Sequence, residues 1–274
     1  MSEVYSPSSL DGVIDWDAIV AKLGLKQPFP EPYWQGKSFQ LVVRNHLIRA
    51  KRAILSMHKG LGKTSTILSI FEDPKVHKNI PGFAVVIVTT VRGMAAYERD
   101  IKMFPEWKGK IQLVLGDKRE RELKWKTDAK YFIVSSGTLL DDIGVKATKK
   151  QKDRKDEVTT NVTAPDWLLK GRCDAVVFDE FHRYFRNRSS KFFGAAEKLF
   201  RNTEYVIPMS GSATSKGPQD LWPALNICDH KFWSSYWKYV STWCEVEDTA
   251  FGKRVGDPRI DKDSHGVSRV DKWR

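Results

Sequence analysis

Ser56-Met57-His58-Lys59-Gly60-Leu61-Gly62-Lys63-Thr64 decides how the rest of the chain is read. The apolar run Ala53-Ile54-Leu55 enters it. A helical pattern leaves it, with Ile67, Leu68, Ile70 and Phe71 on one side and Pro74 as the stop. Strand, glycine turn and helix, in that order, are what a phosphate-binding loop requires. Gly60 and Gly62 let the backbone fold so that several N–H groups converge on an anion. The helix N-terminus behind them adds partial positive charge. Lys63 is then placed to reach the β- and γ-phosphates, and the Thr64 hydroxyl to ligate Mg²⁺. In the full pattern G-x-x-x-x-G-K-[ST], Met57 stands at the first glycine. The remaining G-x-G-K-T also fits a glycine turn that opens an ordinary helix, so its partners elsewhere in the chain carry the decision.

With 274 residues, 41 % hydrophobic and 12 % aromatic, the chain is long enough for one large α/β domain or a domain with appendages. No apolar run reaches the roughly eighteen residues of a membrane span, and Met1-Ser2-Glu3 does not begin a signal peptide. A cytoplasmic protein without a membrane partner is therefore expected. Cys173, Cys228 and Cys244 are too scattered for a disulfide framework or a zinc site and read as core thiols. The net charge of +12 favours a polyanionic partner, nucleic acid first. Solubility alone is the other reading of that charge.

Residues 1–38 form a mixed lead-in, with a short amphipathic helix expected from Asp15 to Leu23 and an extended stretch over Pro28-Phe29-Pro30-Glu31-Pro32. Phe39-Gln40 opens a helix with Leu41, Val42, His46, Leu47 and Ile48. The Gln40 amide suits the donor and acceptor edge of adenine, although such a residue is most often on a helix surface. Phe83–Val88, Ile111–Leu115, Tyr131–Val134, Ala175–Phe178 and Tyr205–Met209 read as strands, several of them apolar on both faces. Thr89, Thr90 and Arg92 follow the first of these, and Ser136 follows the third, at the sheet edge where α/β folds bind ligands. Pro208 is awkward, because a central strand loses a ladder hydrogen bond there. Asp179 and Glu180 leave the fourth strand as an acid pair. The first carboxylate suits Mg²⁺ and the second an attacking water. Between about 141 and 170 a lysine-rich insertion is equally a solvated loop or a DNA-contacting one. Residues 231–274 form an aromatic extension whose Trp233, Trp237 and Trp243 read as a packed cluster.

From residue 39 to about 230 the set resembles the first RecA-like lobe of superfamily 2 helicases, most closely the Snf2-type DNA-dependent ATPases. Gly60-Leu61-Gly62-Lys63-Thr64 matches their phosphate loop and Gln40 their adenine glutamine. Asp179-Glu180-Phe181-His182 matches the D-E-x-H box. Arg183 and the run Asn187 to Lys191 resemble the stretch after that box. Tyr97-Glu98-Arg99-Asp100 resembles W-x-x-E. Ser210-Gly211-Ser212-Ala213 resembles motif III, and Asp220-Leu221-Trp222 the E-L-W beyond it.

The resemblance implies an α/β RecA-like P-loop fold, a mostly parallel sheet with helices on both faces, and ATP with Mg²⁺ as cofactors. It gives Gln40, Gly60, Leu61, Gly62, Lys63 and Thr64 to ATP, and Thr64 and Asp179 to the metal. Chemistry falls to Lys63, Asp179, Glu180 and His182. Ser210, Gly211 and Ser212 couple the site to DNA, and Thr89, Thr90, Arg92 and Ser136 face DNA, expected to be duplex. The usual D-E-M before the loop is replaced by Met57-His58-Lys59, and no second-lobe motif follows residue 230. A second RecA-like lobe is expected from another chain or from a continuation of the gene. The compact spacing suggests a bacteriophage or mobile-element form acting in the host cytoplasm. The alternatives are a non-catalytic DNA-binding or interaction protein, or the motor part of a restriction or defence system.

Overall fold

Six apolar runs pair side by side, all parallel. The computed structural model describes residues 14–77, 80–105, 109–144, 146–147, 160–161, 173–185, 188–212, 217–249 and 252–258. The strands are β1 (Leu55–Ser56), β2 (Val85–Thr89), β3 (Ile111–Leu113) and β4 (Tyr131–Ser135). A small antiparallel pair follows, β5 (Lys146–Ala147) with β6 (Thr160–Asn161), and then β7 (Ala175–Asp179) and β8 (Tyr205–Ser210). The sheet order is β1-β8-β7-β2-β4-β3. The registers Thr89↔Ser135, Val88↔Phe178, Asp179↔Met209 and Ser56↔Ser210 bring the C-terminal ends of five strands to one edge. Apart from 141–144 and the two short strands, the basic insertion lies outside the described residues, as do Arg186, Asn187 and Ala213.

Side chains alternate across the sheet, and both faces are apolar. Val86, Val88, Phe132, Val134, Val176 and Phe178 enter one core, with α8 (Lys191–Phe200), α9 (Trp222–Cys228) and α10 (Tyr236–Trp243). Val85, Ile87, Ile133, Val177 and Ile207 enter the other. There they meet α2 (Ser38–Ala50), α3 (Lys63–Phe71) and α5 (Val91–Asp100). The fold is therefore a RecA-like α/β sheet with helices on both faces.

Several local expectations shift. The helix after the glycine loop, α3, is buried all round from Ser65 to Phe71 instead of on one side, because α2 and α5 cover it from flanks the periodicity did not register. Ser136 does not close a strand; it begins α7 (Ser136–Asp142), capped by the Ser135 hydroxyl. Asp220 and Leu221 lie in a 3₁₀ turn and only Trp222 starts α9. The strand expected over Ile111–Leu115 ends at Leu113, and Leu115 is exposed. Asp15 caps α1 (Trp16–Leu23) through its side chain. In the lead-in, Phe29 and Trp34 pack on Phe104.

Pro208 sits inside β8 after all. Val206 N–H donates to Lys51 O and Met57 N–H to Ser210 O, so the even-numbered residues of β8 face β1. The donor that Pro208 lacks thus points at Ala53 and Ile54, which lie outside the ladder between an isolated bridge at Arg52 and the two-residue β1. The loss falls on the short strand at the end of the sheet order, where a proline is tolerated.

Two polar clusters tie the layers at the end of the sheet away from that edge. Arg52 donates to the carbonyls of Cys228 (2.8 Å) and Ile227 (2.7 Å) at the end of α9, and to Thr203 O. Glu72, beyond α3, accepts from Lys110 (2.6 Å), Lys130 (3.1 Å) and the Tyr131 hydroxyl (2.8 Å). Burial pushes the Glu72 carboxyl up, but the two lysines and the phenol outweigh it and hold it below its ordinary range. Glu72→Gln leaves two cations without their anion and is expected to cost on the order of 3 kcal/mol in urea unfolding at neutral pH. A group depressed in the folded state stabilises above its unfolded value and loses that contribution as pH falls through its folded value. The gap between wild type and variant should therefore be full above pH 4.5 and shrink below it. A gap that widens on acidification contradicts the assignment.

Candidate nucleotide-binding site

The glycine turn is held open by two residues with left-handed backbone, Gly60 at φ +83° and Gly62 at φ +78°. Lys63, the first residue of α3, is 9 % exposed. Its ammonium donates to the carbonyls of Met57 (3.0 Å) and His58 (3.4 Å). The Ser65 and Thr66 hydroxyls return to Gly62 O at 3.0 and 2.9 Å and fix the first turn of α3 to the loop. Thr64 is partly exposed beside them.

Gln40 reaches across from α2. Its Nε2 donates to Leu61 O at 2.9 Å, and its Oε1 accepts from the Lys37 N–H at 2.9 Å. The amide expected to read adenine is thus a brace on the phosphate loop. One N–H and one lone pair remain for a base.

Strand β7 delivers the acid pair to the same edge. Asp179 Oδ2 accepts from the Thr89 hydroxyl at 2.8 Å. Burial pushes the Asp179 carboxyl up and the Glu180 charge adds to it, against the Thr89 hydroxyl, the Lys63 charge and Tyr97. Lys63 and Asp179, 116 residues apart in sequence, therefore share one electrostatic environment. Glu180 adopts φ +54° and ψ +46°, uncommon for a residue with a side chain and of a kind that concentrates at functional sites. The turn lifts its carboxylate out of strand alternation toward β8. There Ser210 Oγ lies 3.4 Å from Glu180 Oε2 and 2.7 Å from His182 Nδ1, and the Ser212 N–H donates to Ser210 Oγ at 3.0 Å. Burial, with help from Arg183 and Lys59, pushes the His182 imidazole down, so it is neutral near pH 7. With its proton on Nδ1 it donates to Ser210, and Ser210 in turn donates to Glu180. Gly211 leaves room for the Lys59 stem, whose Cγ would lie 3.3 Å from an added Cβ.

Of the residues expected to face DNA, Thr89 is 2 % exposed and its hydroxyl donates to Asp179. Arg92 is exposed, and Thr90 and Ser136 are partly so. Thr90 caps α5 by accepting from Gly93 N–H at 3.1 Å. Two functional neighbours escape sequence reasoning. Tyr184 donates to Asp179 O at 2.8 Å and holds the strand end from below. Tyr97 lies buried near the Asp179 side chain, its hydroxyl without a hydrogen-bond partner. Only the Tyr97-Glu98-Arg99-Asp100 match could have drawn attention to the second. Among the described residues no group of three or more His, Cys, Asp or Glu side chains could hold a metal ion.

Gly60 and Gly62 separate backbone freedom from close packing. A Cβ at Gly60 meets nothing within 4 Å, whereas one at Gly62 would lie 2.4 Å from Gln40 Nε2. Gly60→Ala is expected to cost only its left-handed backbone, roughly 1–2 kcal/mol. Gly62→Ala should cost about 1 kcal/mol more, since Gln40 must give up Leu61. Urea unfolding of both variants measures the difference, and equal costs contradict the brace.

The family model for DEAD/DEAH box helicases matches residues 37–221. A search of curated protein sequences finds no match. Among solved structures, the chain is similar to the Sulfolobus solfataricus SWI2/SNF2 ATPase core in complex with dsDNA. That likeness has 19 % identity and a TM-score of 0.58, over 80 % of this chain and 41 % of that one. It is also similar to the Sulfolobus solfataricus SWI2/SNF2 ATPase core domain, at 17 % identity and a TM-score of 0.54, over 80 % of this chain and 40 % of that one. The chain thus spans about two fifths of the length of these structures, and the likeness establishes the shared fold. With more than half of its length inside the helicase model, and with the glycine loop, the acid pair and Ser210 meeting at one sheet edge, the chain belongs to the DEAD/DEAH box helicase family.

Proposed function

We propose that this chain is the ATP-binding lobe of a Snf2-type, DNA-dependent ATPase that needs a second RecA-like lobe for full turnover. The observation that carries the reading is the juxtaposition of Lys63 and the glycine loop with Asp179 and Glu180 across one sheet edge. The residues fit a magnesium nucleotide. A buried ammonium rests on neutral carbonyls, Gly60 and Gly62 hold left-handed backbone beside it, and Thr64 and Asp179 offer the hard oxygen donors that Mg²⁺ prefers. When bound, the ion would neutralise phosphate charge.

Lys63 exchanges its loop carbonyls for β- and γ-phosphate oxygens. Gln40 keeps Leu61 in place and turns its remaining donor and acceptor to adenine. Glu180 polarises the attacking water, with its carboxylate oriented by Ser210. His182, Ser210, Gly211 and Ser212 carry the state of the acid pair toward the strand-end surface around Thr90, Arg92 and Ser136, where duplex DNA binds. The intact acid pair, held in a strained turn, speaks against a purely structural DNA-binding role. The domain reading is residues 39–230 as the lobe, with 1–38 as lead-in and 231–274 as extension.

Lys63→Ala removes a charge-assisted contact to phosphate. It is expected to weaken a fluorescent ATP analogue with Mg²⁺ by tenfold or more in direct titration; equal affinity contradicts the assignment. Turnover should be slow in the 274-residue chain alone, because a second-lobe arginine typically contributes about 10³–10⁵-fold. Phosphate release with and without duplex DNA, with Glu180→Gln as the blank, measures this. Fast DNA-stimulated release by the pure chain, lost in Glu180→Gln, contradicts the need for a second lobe.

A further inference from the structure

Tyr97 has no exposed surface, and its hydroxyl is one of the few buried polar atoms among the described residues without a hydrogen-bond partner. Buried donors are nearly always satisfied, so one left open next to a reacting centre points to a bond that closes when a nearby acceptor turns toward it.

The surroundings identify that acceptor. Helix α5 starts against the acid pair: a Cβ at Gly93 would lie 2.3 Å from Thr89 Oγ1, the hydroxyl that binds Asp179. Tyr97 is one helical turn further along the same face, in a buried stripe with Met94 and Asp100. Burial, followed by the Asp179 charge, pushes the phenol well above its ordinary value, which sets its hydroxyl near that side chain. Asp179 is therefore its nearest strong acceptor, yet the carboxylate is turned toward Thr89. A carboxylate has two oxygens and about four acceptor positions, and rotation about its side chain exchanges or shares these two donors.

We propose that Tyr97 is a positioning residue for Asp179: its hydroxyl takes up the carboxylate when the magnesium nucleotide is bound and fixes which oxygen faces Thr64 and the ion. This rests on the nucleotide reading above and adds to it a chain-specific donor. In the motif that Tyr97-Glu98-Arg99-Asp100 resembles, the first residue is tryptophan, which carries no hydroxyl at that point.

The test is Tyr97→Phe in the full 274-residue chain, which keeps the ring and its packing. A fluorescent ATP analogue is titrated in EDTA and then at saturating nucleotide across a range of Mg²⁺. The expected result is an unchanged affinity in EDTA and a Mg²⁺ midpoint raised about tenfold, the usual weight of one hydrogen bond to a charged group. An unchanged Mg²⁺ midpoint, or an equal loss of affinity with and without Mg²⁺, overturns the inference. Failure of the wild-type chain to bind the analogue would instead overturn the nucleotide reading on which it rests.

Discussion

A buried ammonium with no ion-pair partner among the described residues is the constraint on which the site depends. Lys63 is almost wholly covered, and the carbonyls it touches, on Met57 and His58, are neutral. Burying a charge is costly unless it is paired and hydrogen-bonded. Two carbonyl dipoles meet part of that cost, and on the reading proposed above an entering phosphate meets the rest. The loop geometry follows from this. Gly60 and Gly62 take left-handed backbone in the turn between those carbonyls and the lysine, a conformation that glycine adopts without steric cost. Gln40 then locks the turn from a separate helix.

The sheet supplies the second half of the constraint. Its strands run in parallel, so their C-terminal ends share one edge, and residues distant in sequence arrive there together. Thr89 from β2, Asp179 from β7 and Ser210 from β8 each occupy the last position of a buried strand. The apolar residues before them fix their height. The polar contacts among them fix their orientation. The same arrangement explains why the opposite end of the sheet carries structural ion clusters such as that of Glu72: polar groups there meet no ligand and must satisfy one another.

Much of this was legible in the sequence, and the physical reason is locality. A phosphate loop is made of contiguous backbone, so Gly60, Gly62, Lys63 and Thr64 announce themselves. An apolar run ending in Asp179-Glu180 announces a strand end. Contacts that depend on rotation or on packing between helices were hidden. Thr89 looked like a surface residue because strand ends are usually exposed, and only the absence of a side chain at Gly93 lets its hydroxyl turn inward. The helix α3 looked one-sided because Ser65, Thr66 and Ser69 are polar by type. Their hydroxyls are absorbed by carbonyls of the loop and of the helix itself, which allows them to be buried. Pro208 looked disruptive because sequence does not reveal which side of a strand its missing donor faces.

The central claim is that Lys63 trades loop carbonyls for phosphate oxygens within reach of Asp179. A crystal structure with Mg²⁺ and a non-hydrolysable ATP analogue tests it most directly. The account requires the Lys63 ammonium to have left Met57 and His58 for the β- and γ-phosphates, with the ion between Thr64 and Asp179 and with Gln40 still on Leu61. A nucleotide bound elsewhere, or bound with Lys63 still on its two carbonyls, would contradict it.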